Sequence, residues 1–284
     1  EGQVQPLPGT TLEHPACAPG EVLLCRATPI GEVTLAPRHW QRAEAGARRR
    51  LTAKVFRNTR AAPDVSILQL RLPAGKRAKF RAGQYLQIVL PDGSERSYSM
   101  ANPPQESDGV TLHIRHVAGG RFTAMVPDLV PGDPVEIVLP FGSVGLAVDD
   151  TRPLVCVAGG TGFAPIKSIL DDLARRVDSR AVTLLWGARN DAGLYLLPAV
   201  QTWQTRLSAF RFVPAVSDAT SALPDAFAGR LPDALAAAVP DLRGHVLYCC
   251  GAPGLVQATR ERALALGLGP EDFHADAFVR GGAA

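Results

Sequence analysis

The stretch Val157-Ala158-Gly159-Gly160-Thr161-Gly162-Phe163-Ala164-Pro165 joins a continuous apolar run at 153–158 to a helical stripe of Ile166, Ile169, Leu170, Leu173 and Val177. An unbroken apolar run of that length marks a strand buried on both faces. Spacings of three and four mark one face of a helix. Glycines between the two let the backbone turn sharply and come close to a ligand. The helix start then offers unpaired N–H groups and the positive end of its dipole, which suits an anion such as pyrophosphate. Pro165 fits the first helical turn, where its missing N–H costs nothing. It also occupies the third glycine's place in GxGxxG, so that fingerprint is incomplete, and a tight strand–helix turn without a ligand is the plainer alternative.

Downstream, strand and helix patterns keep alternating: strands at 181–187, 210–216, 245–249 and 273–278, helices at 197–207, 231–239 and 254–266. Such alternation predicts a doubly wound parallel α/β sheet. Upstream the rhythm differs. Short β-rich runs at 51–57, 65–72, 84–90, 95–100, 110–117 and 135–139 are separated by turn chemistry such as Pro91-Asp92-Gly93 and Pro131-Gly132-Asp133, with one helical stretch at 122–129. Six short strands at this spacing predict a small antiparallel β-barrel. The boundary between the two falls near 142–152, which gives domains of 51–148 and 149–284.

Residues 1–50 hold little apolar material, with short strands expected only at 22–25 and 32–35 and a polar, basic linker at 36–50. They read as the remnant of a domain whose larger part lies upstream, since so little cannot bury an independent core. The whole chain has 284 residues, 46% of them apolar, 20% charged, and a formal charge of +3. That charge is too small to imply nucleic acid, although Arg48-Arg49-Arg50 is locally basic. No apolar run approaches the ~18 residues of a membrane span. The five cysteines, Cys17, Cys25, Cys156, Cys249 and Cys250, include no CxxC, so neither a disulfide framework nor a self-contained zinc site is indicated. No secretory leader opens the sequence, and a reducing cytoplasm is the simplest compartment.

A second constellation lies on the barrel: Arg96-Ser97-Tyr98-Ser99, then Arg115, then Gly119-Gly120-Arg121-Phe122-Thr123 opening the single helix. Arginines, paired glycines and a threonine at a helix start again suit a diphosphate. Tyr98 offers an aromatic face, and Ser99 a hydroxyl able to reach a ring nitrogen. An ordinary polar strand face is the alternative. His113 and His116, three apart on a strand, make a poor metal pair, and exposed or ribose-adjacent polar roles are expected of them. After the second α/β strand comes Gly187-Ala188-Arg189-Asn190-Asp191. Arg189 there leans toward the 2′-phosphate of NADPH, and Asp191 keeps NADH open.

The order RxYS, GGRxT, GGTGxAP and a late CGxP (Cys250-Gly251-Ala252-Pro253) resembles the ferredoxin–NADP(H) reductase superfamily over residues 51–278. The resemblance implies FAD as cofactor, with Arg96 on its phosphates, Tyr98 on the isoalloxazine and Ser99 near flavin N5. Ser97, His113 and Arg115 are placed around the same group, and Gly119, Gly120, Arg121, Phe122 and Thr123 at its diphosphate. It implies that Gly160, Thr161 and Gly162 receive the pyrophosphate of the nicotinamide dinucleotide, that Cys250 and Gly251 lie by the nicotinamide, with Ser99 and Cys250 as the catalytic pair, and that Phe278 covers the flavin face. Gly20–Ala27 is similar to the segment around the last ligand of a plant-type [2Fe–2S] domain. Such clusters need four thiolates, of which only Cys25 stands in this sequence. It is a ligand in a longer chain, and no complete metal site is expected here.

The resulting order of ferredoxin, flavin and nucleotide segments resembles reductase components of bacterial aromatic-ring dioxygenases. Stretches 61–66, 75–80 and 96–104 are very similar to one member of that group. The implied reaction is hydride transfer from NAD(P)H to FAD, the resemblance, like Arg189, favouring NADPH with NADH possible, then single-electron passage through [2Fe–2S] to a terminal oxygenase component or its iron–sulfur centre. Two alternatives stay open: an FAD-binding electron-transfer subunit that takes no hydride, and a dehydrogenase without flavin.

Overall fold

The computed structural model describes residues 2–7, 11–12, 20–22, 27–36, 48–142, 146, 150–218 and 220–278. Its contacts divide the chain into two compact units, 1–45 and 46–284. In the first, strands β1 (Gln3–Pro6) and β2 (Ala27–Ile30) pair antiparallel, Gln3 opposite Ile30 and Pro6 opposite Ala27. The second strand is not where the sequence pattern put it. Residues 32–35 form no strand, because Gly31, at φ +76°, turns the chain immediately after Ile30. Residues 23–25, and with them Cys25, lie outside the described residues, as does Cys17.

In the larger unit, β3 (Arg49–Ala62), β4 (Val65–Arg71), β5 (Tyr85–Val89), β6 (Glu95–Ser99), β7 (Gly109–Arg115) and β8 (Pro134–Phe141) form one antiparallel sheet in the order β6-β5-β8-β3-β4-β7. A bridge from Met100 to Leu112 joins the two outer strands and closes the barrel. β3 begins inside the stretch read as linker, because Arg49 and Arg50 pair with Leu139 and Val138. It bends at register shifts after Val55 and Arg60, the usual device for curving a long strand around a barrel. Alternating inward residues, among them Leu68, Leu70, Leu86, Ile88, Leu112, Ile114 and Ile137, fill the interior. The expected helix is a short α1 (Arg121–Met125) continued by a 3₁₀ turn at Val126–Asp128. Asn58 of β3 holds it, donating from Nδ2 to Val126 O at 2.6 Å and Leu129 O at 3.2 Å.

The α/β part is built on six parallel strands: β9 (Leu154–Gly159), β10 (Val182–Ala188), β11 (Phe210–Val216), β12 (Phe227–Ala228), β13 (Val246–Gly251) and β14 (Phe273–Ala277). Their order is β12-β11-β10-β9-β13-β14. Helices α2 (Phe163–Arg176) and α3 (Leu197–Arg206) contribute to the core on one face, and α4 (Leu231–Ala238) and α5 (Pro253–Ala265) to that on the other. The chain leaves β9 toward β10 and later returns to its other side as β13. The crevice beyond the carboxyl ends of β9 and β13 is therefore the topological switch point, where doubly wound sheets bind ligands. Among the described residues no helix is long and apolar enough to cross a membrane.

Candidate cofactor site

Gly160–Gly162 forms a 3₁₀ turn leading straight into α2, whose third residue is the buried Pro165. Gly160 takes φ +54°, a left-handed conformation that favours glycine. A Cβ on Gly162 would collide with Cys250 O and lie 3.0 Å from Gly251 N. The turn from β9 is thus pressed against the end of β13. Trp186 of β10 supports it from below, donating from Nε1 to Gly160 O at 3.0 Å, and its ring stacks on Phe163 at 3.7 Å. The barrel reaches the same turn: Arg115 of β7 lies beside Gly160 and pairs with Asp64 at 2.8 Å.

On β6, alternation puts Arg96 and Tyr98 on one face, Ser97 and Ser99 on the other. Tyr98 packs on Phe122 with ring centroids 5.5 Å apart, and burial pushes its hydroxyl up to about 12. Phe122 itself is buried in the barrel core, so it backs Tyr98 rather than facing a ligand. Arg96 donates to Glu95 O at 2.8 Å, while Ser97 is exposed and not drawn into the group. Gly119 turns at φ +73°, and a Cβ on Gly120 would strike the Thr123 hydroxyl. That hydroxyl donates within its own turn, to Val117 O at 3.1 Å and Gly120 O at 3.2 Å. Arg121 is exposed and ion-paired with Asp92.

Ser99 points away from Tyr98, toward the α/β part, and donates from Oγ to Asp276 Oδ2 at 3.1 Å. Asp276, on β14, lies beside Cys250 in the β13–β14 register. Burial raises the Asp276 carboxyl above the usual range, against the lowering effect of the Ser99 bond. Burial first, then the Asp276 charge, push the Cys250 thiol well above its ordinary value. Cys250 is therefore a neutral thiol here, and Cys249 faces the other core cluster. Phe278 is anchored next to them, its N–H donating to Gly251 O at 2.8 Å. His113 is not the exposed side chain expected: packed by Phe163 and Tyr195 it is only 5% exposed, with Nδ1 2.9 Å from the Tyr195 hydroxyl and no partner for Nε2.

Arg189 stands at the end of β10 with its side chain 85% exposed, and its Nε is 3.8 Å from Asp218 Oδ2. Asp218 also borders a cleft of ≈ 620 Å³ whose lining includes Ser217, Thr220, Ser221 and Asp225. Asp191 is occupied locally, accepting from Ser221 Oγ at 2.6 Å and Ala222 N at 2.8 Å.

The residues fit a flavin and a dinucleotide on structural grounds. Glycines whose Cβ would clash lie at 120 and 162, and a buried imidazole nitrogen, His113 Nε2, has no hydrogen-bond partner. For a metal, no group of three or more His, Cys, Asp or Glu side chains is placed to hold an ion among the described residues. Sequence reasoning missed Asp276, Asp218 and Tyr195. An acidic residue at the end of the last strand is a signal for the first, and one after β11 for the second. Tyr195 carries no local signal.

Comparison with known proteins agrees with this geometry. Residues 52–145 match the oxidoreductase FAD-binding domain and 156–261 the oxidoreductase NAD-binding domain. The chain is 54% identical to the terephthalate 1,2-dioxygenase reductase component 2 of Comamonas sp over 281 residues, 99% of this chain and 84% of that protein. This is the type of reductase that stretches 61–66, 75–80 and 96–104 resemble. The structure of Amycolatopsis cytochrome P450 reductase GcoB superposes with a TM-score of 0.77 at 33% identity, covering 90% of this chain and 78% of that one. Phthalate dioxygenase reductase, described as transferring electrons from pyridine nucleotides to [2Fe–2S], shares the fold, with a TM-score of 0.64 at 23% identity over 80% of this chain and 68% of that one. The chain belongs to the family of FAD- and NAD-binding oxidoreductases that includes the reductase components of terephthalate 1,2-dioxygenase.

Proposed function

We propose that this oxidoreductase takes hydride from NADH at the seam between barrel and α/β sheet and passes single electrons to the iron–sulfur centre of a cytoplasmic aromatic-ring dioxygenase system, of the terephthalate type. The observation that carries this reading is the convergence of Ser99 from the barrel with Asp276 and Cys250 from the sheet, next to the Gly160 turn. Bound FAD would supply the conversion between two-electron and one-electron chemistry. The chain's own residues bind, orient and shield. Tyr98 presents a ring face for the isoalloxazine, and Arg96 a charge for the phosphates. The turns at 119–123 and 160–162 would receive the two diphosphates. The Ser99 hydroxyl, which donates to Asp276, would face a flavin ring nitrogen, and Phe278 would cover the flavin face. Neutral Cys250 fills the floor without competing as a nucleophile.

The nucleotide preference departs from what Arg189 alone suggests. Asp218 shares the Arg189 charge, and the cleft behind it carries carboxylates rather than further cations. A carboxylate there accepts a ribose 2′-hydroxyl and repels a 2′-phosphate.

An anaerobic titration of the FAD-loaded protein tests both points. NADH should bleach the flavin band faster than NADPH, and Asp218→Ser should narrow the gap a few-fold, in keeping with ~1 kcal/mol for an exposed charge. A flavin band that survives both nucleotides would make the protein an FAD-binding electron carrier without hydride chemistry. Faster bleaching by NADPH would return the 2′-phosphate to Arg189.

A further inference from the structure

Alternation along β7 sends Leu112 and Ile114 into the barrel core and turns His113 and Arg115 outward. Neither outward side chain simply faces water. Arg115 lies against Gly160, and His113 is buried by Phe163 and Tyr195 of the α/β part. The His113 ring is stacked on Phe163 at 6.2 Å and 23°, Phe163 on Trp186 at 3.7 Å and 8°, and Trp186 donates to Gly160 O. Tyr195 stands edge-on to all three rings, at interplanar angles of 80°, 87° and 88°. Through this stack, one hydrogen bond 82 residues apart in sequence connects a barrel strand to the nucleotide turn. The Met100–Leu112 bridge places His113 opposite Ser99, where β6 and β7 diverge.

We propose that His113 and Tyr195 are positioning residues, a polar latch that fixes the flavin-bearing strand against the nucleotide-bearing turn and so sets the distance over which hydride moves. This rests on the seam being the hydride-transfer site. A latch explains why an imidazole stands at 113. A phenyl ring would fill the same space and leave no unpartnered nitrogen, but it could not bond the Tyr195 hydroxyl at a fixed distance. Both partners stay neutral, because burial holds the imidazole pKa down near 3 and pushes the phenol upward. The latch is therefore static and not a pH switch. Lys167 of α2 and Arg115 are the charged groups that face the pair: Lys167 adds to burial in disfavouring the imidazolium, and Arg115 favours the phenolate but is outweighed by burial.

The test uses the FAD-loaded chain and its His113→Phe, Tyr195→Phe and doubly substituted variants. Anaerobic rapid mixing with NADH reads the limiting rate of flavin reduction and the nucleotide Kd separately. Each single variant should lose about tenfold in limiting rate, since small misplacements of reacting groups are costly. The double variant should lose no more, and Kd should change less than about twofold. Use of C4-deuterated NADH should show an undiminished primary isotope effect, because the slowed step is the transfer itself. Unchanged limiting rates, or losses that multiply in the double variant, would overturn the latch, as would a change confined to FAD content or Tm. Tyr195→Phe removes a single oxygen and keeps the proposal testable if His113→Phe folds poorly. Wild-type flavin that NADH does not reduce would sink the functional reading and the latch together, whereas a reduced wild type with unaffected variants sinks the latch alone.

Discussion

His113 has an effect on stability separate from its part in positioning. Its imidazole pKa is held near 3 by burial first and by the Lys167 charge second, whereas in the unfolded chain it sits near 6.5. Between those values the unfolded state binds more protons than the folded one, so stability is full above ~6.5 and falls as pH drops toward 3. The difference between pH 7 and pH 5 is about 2 kcal/mol. His113→Phe should therefore lose less stability than wild type between these pH values in urea titrations, and an equal loss would place the imidazole in water. Asp276 has the opposite sign for its class. Its raised pKa means the folded chain holds a proton that the unfolded chain has released, so this contribution is lost as pH rises from ~3.9 through the raised value. Ionising the carboxylate strengthens the bond it accepts from Ser99, so flavin reduction by NADH should quicken as pH rises through that range. Asp276→Asn should flatten the profile, and an unaltered profile would remove Asp276 from the seam. Ser99 and Cys250 stood out in the sequence because each sits in a short motif, Ser99 for its hydroxyl and Cys250 through the family resemblance. Asp276 and Tyr195 could not, since their meaning comes from partners 177 and 82 residues away.

At the scale of elements, the turn between β9 and α2 is where local sequence and tertiary contact agree most closely. Gly162 is required twice: it starts the helix, and its missing side chain leaves room for Cys250 O at the end of β13. Gly162→Ala should force β9 and β13 apart at the ligand crevice and weaken nucleotide binding at least tenfold, about 1.4 kcal/mol, with FAD content unchanged. Isothermal titration with NAD⁺ reads this directly, and unchanged affinity would mean that the crevice relaxes freely. Strand and helix periodicity made most of these elements legible, because buried parallel strands are continuously apolar and α2 carries a clean stripe. The failures have local causes. β12 has two residues, too short for any period to register. The small unit's second strand depends on where Gly31 turns the chain. Barrel strand β3 runs into a basic stretch that hydrophobicity reads as linker, since its stabilisation comes from pairing with β8 and an ion pair of Arg50 with Glu136 at 2.5 Å.

For the larger unit as a whole, function depends on how firmly the barrel and the α/β sheet are joined. The contacts between them fall into two physical kinds. At the rim, Arg175 pairs with Glu106, and Gln105 donates to Asp172 at 2.7 Å, both exposed. In the interior, Ser168 of α2, fully buried, donates from Oγ to Asn102 O at 2.7 Å, and Asn102 in turn receives Thr111 N at 2.8 Å and donates to Glu106 O at 2.7 Å. Solvent screens the rim pair, which is worth roughly 0–1 kcal/mol. Removing the Ser168 hydroxyl strands a buried carbonyl and costs about 1–3 kcal/mol. Glu106→Gln should therefore leave both the thermal midpoint and the NADH reduction rate nearly unchanged at moderate salt. Ser168→Ala should lower the midpoint by several degrees and broaden the distribution of reduction rates, as the two halves sample more than one separation. If Glu106→Gln proved the more damaging of the two, and its effect faded with added salt, the junction would be electrostatic at its edge. The buried bond between α2 and the 100–108 connection would then be incidental to holding flavin and nucleotide in register.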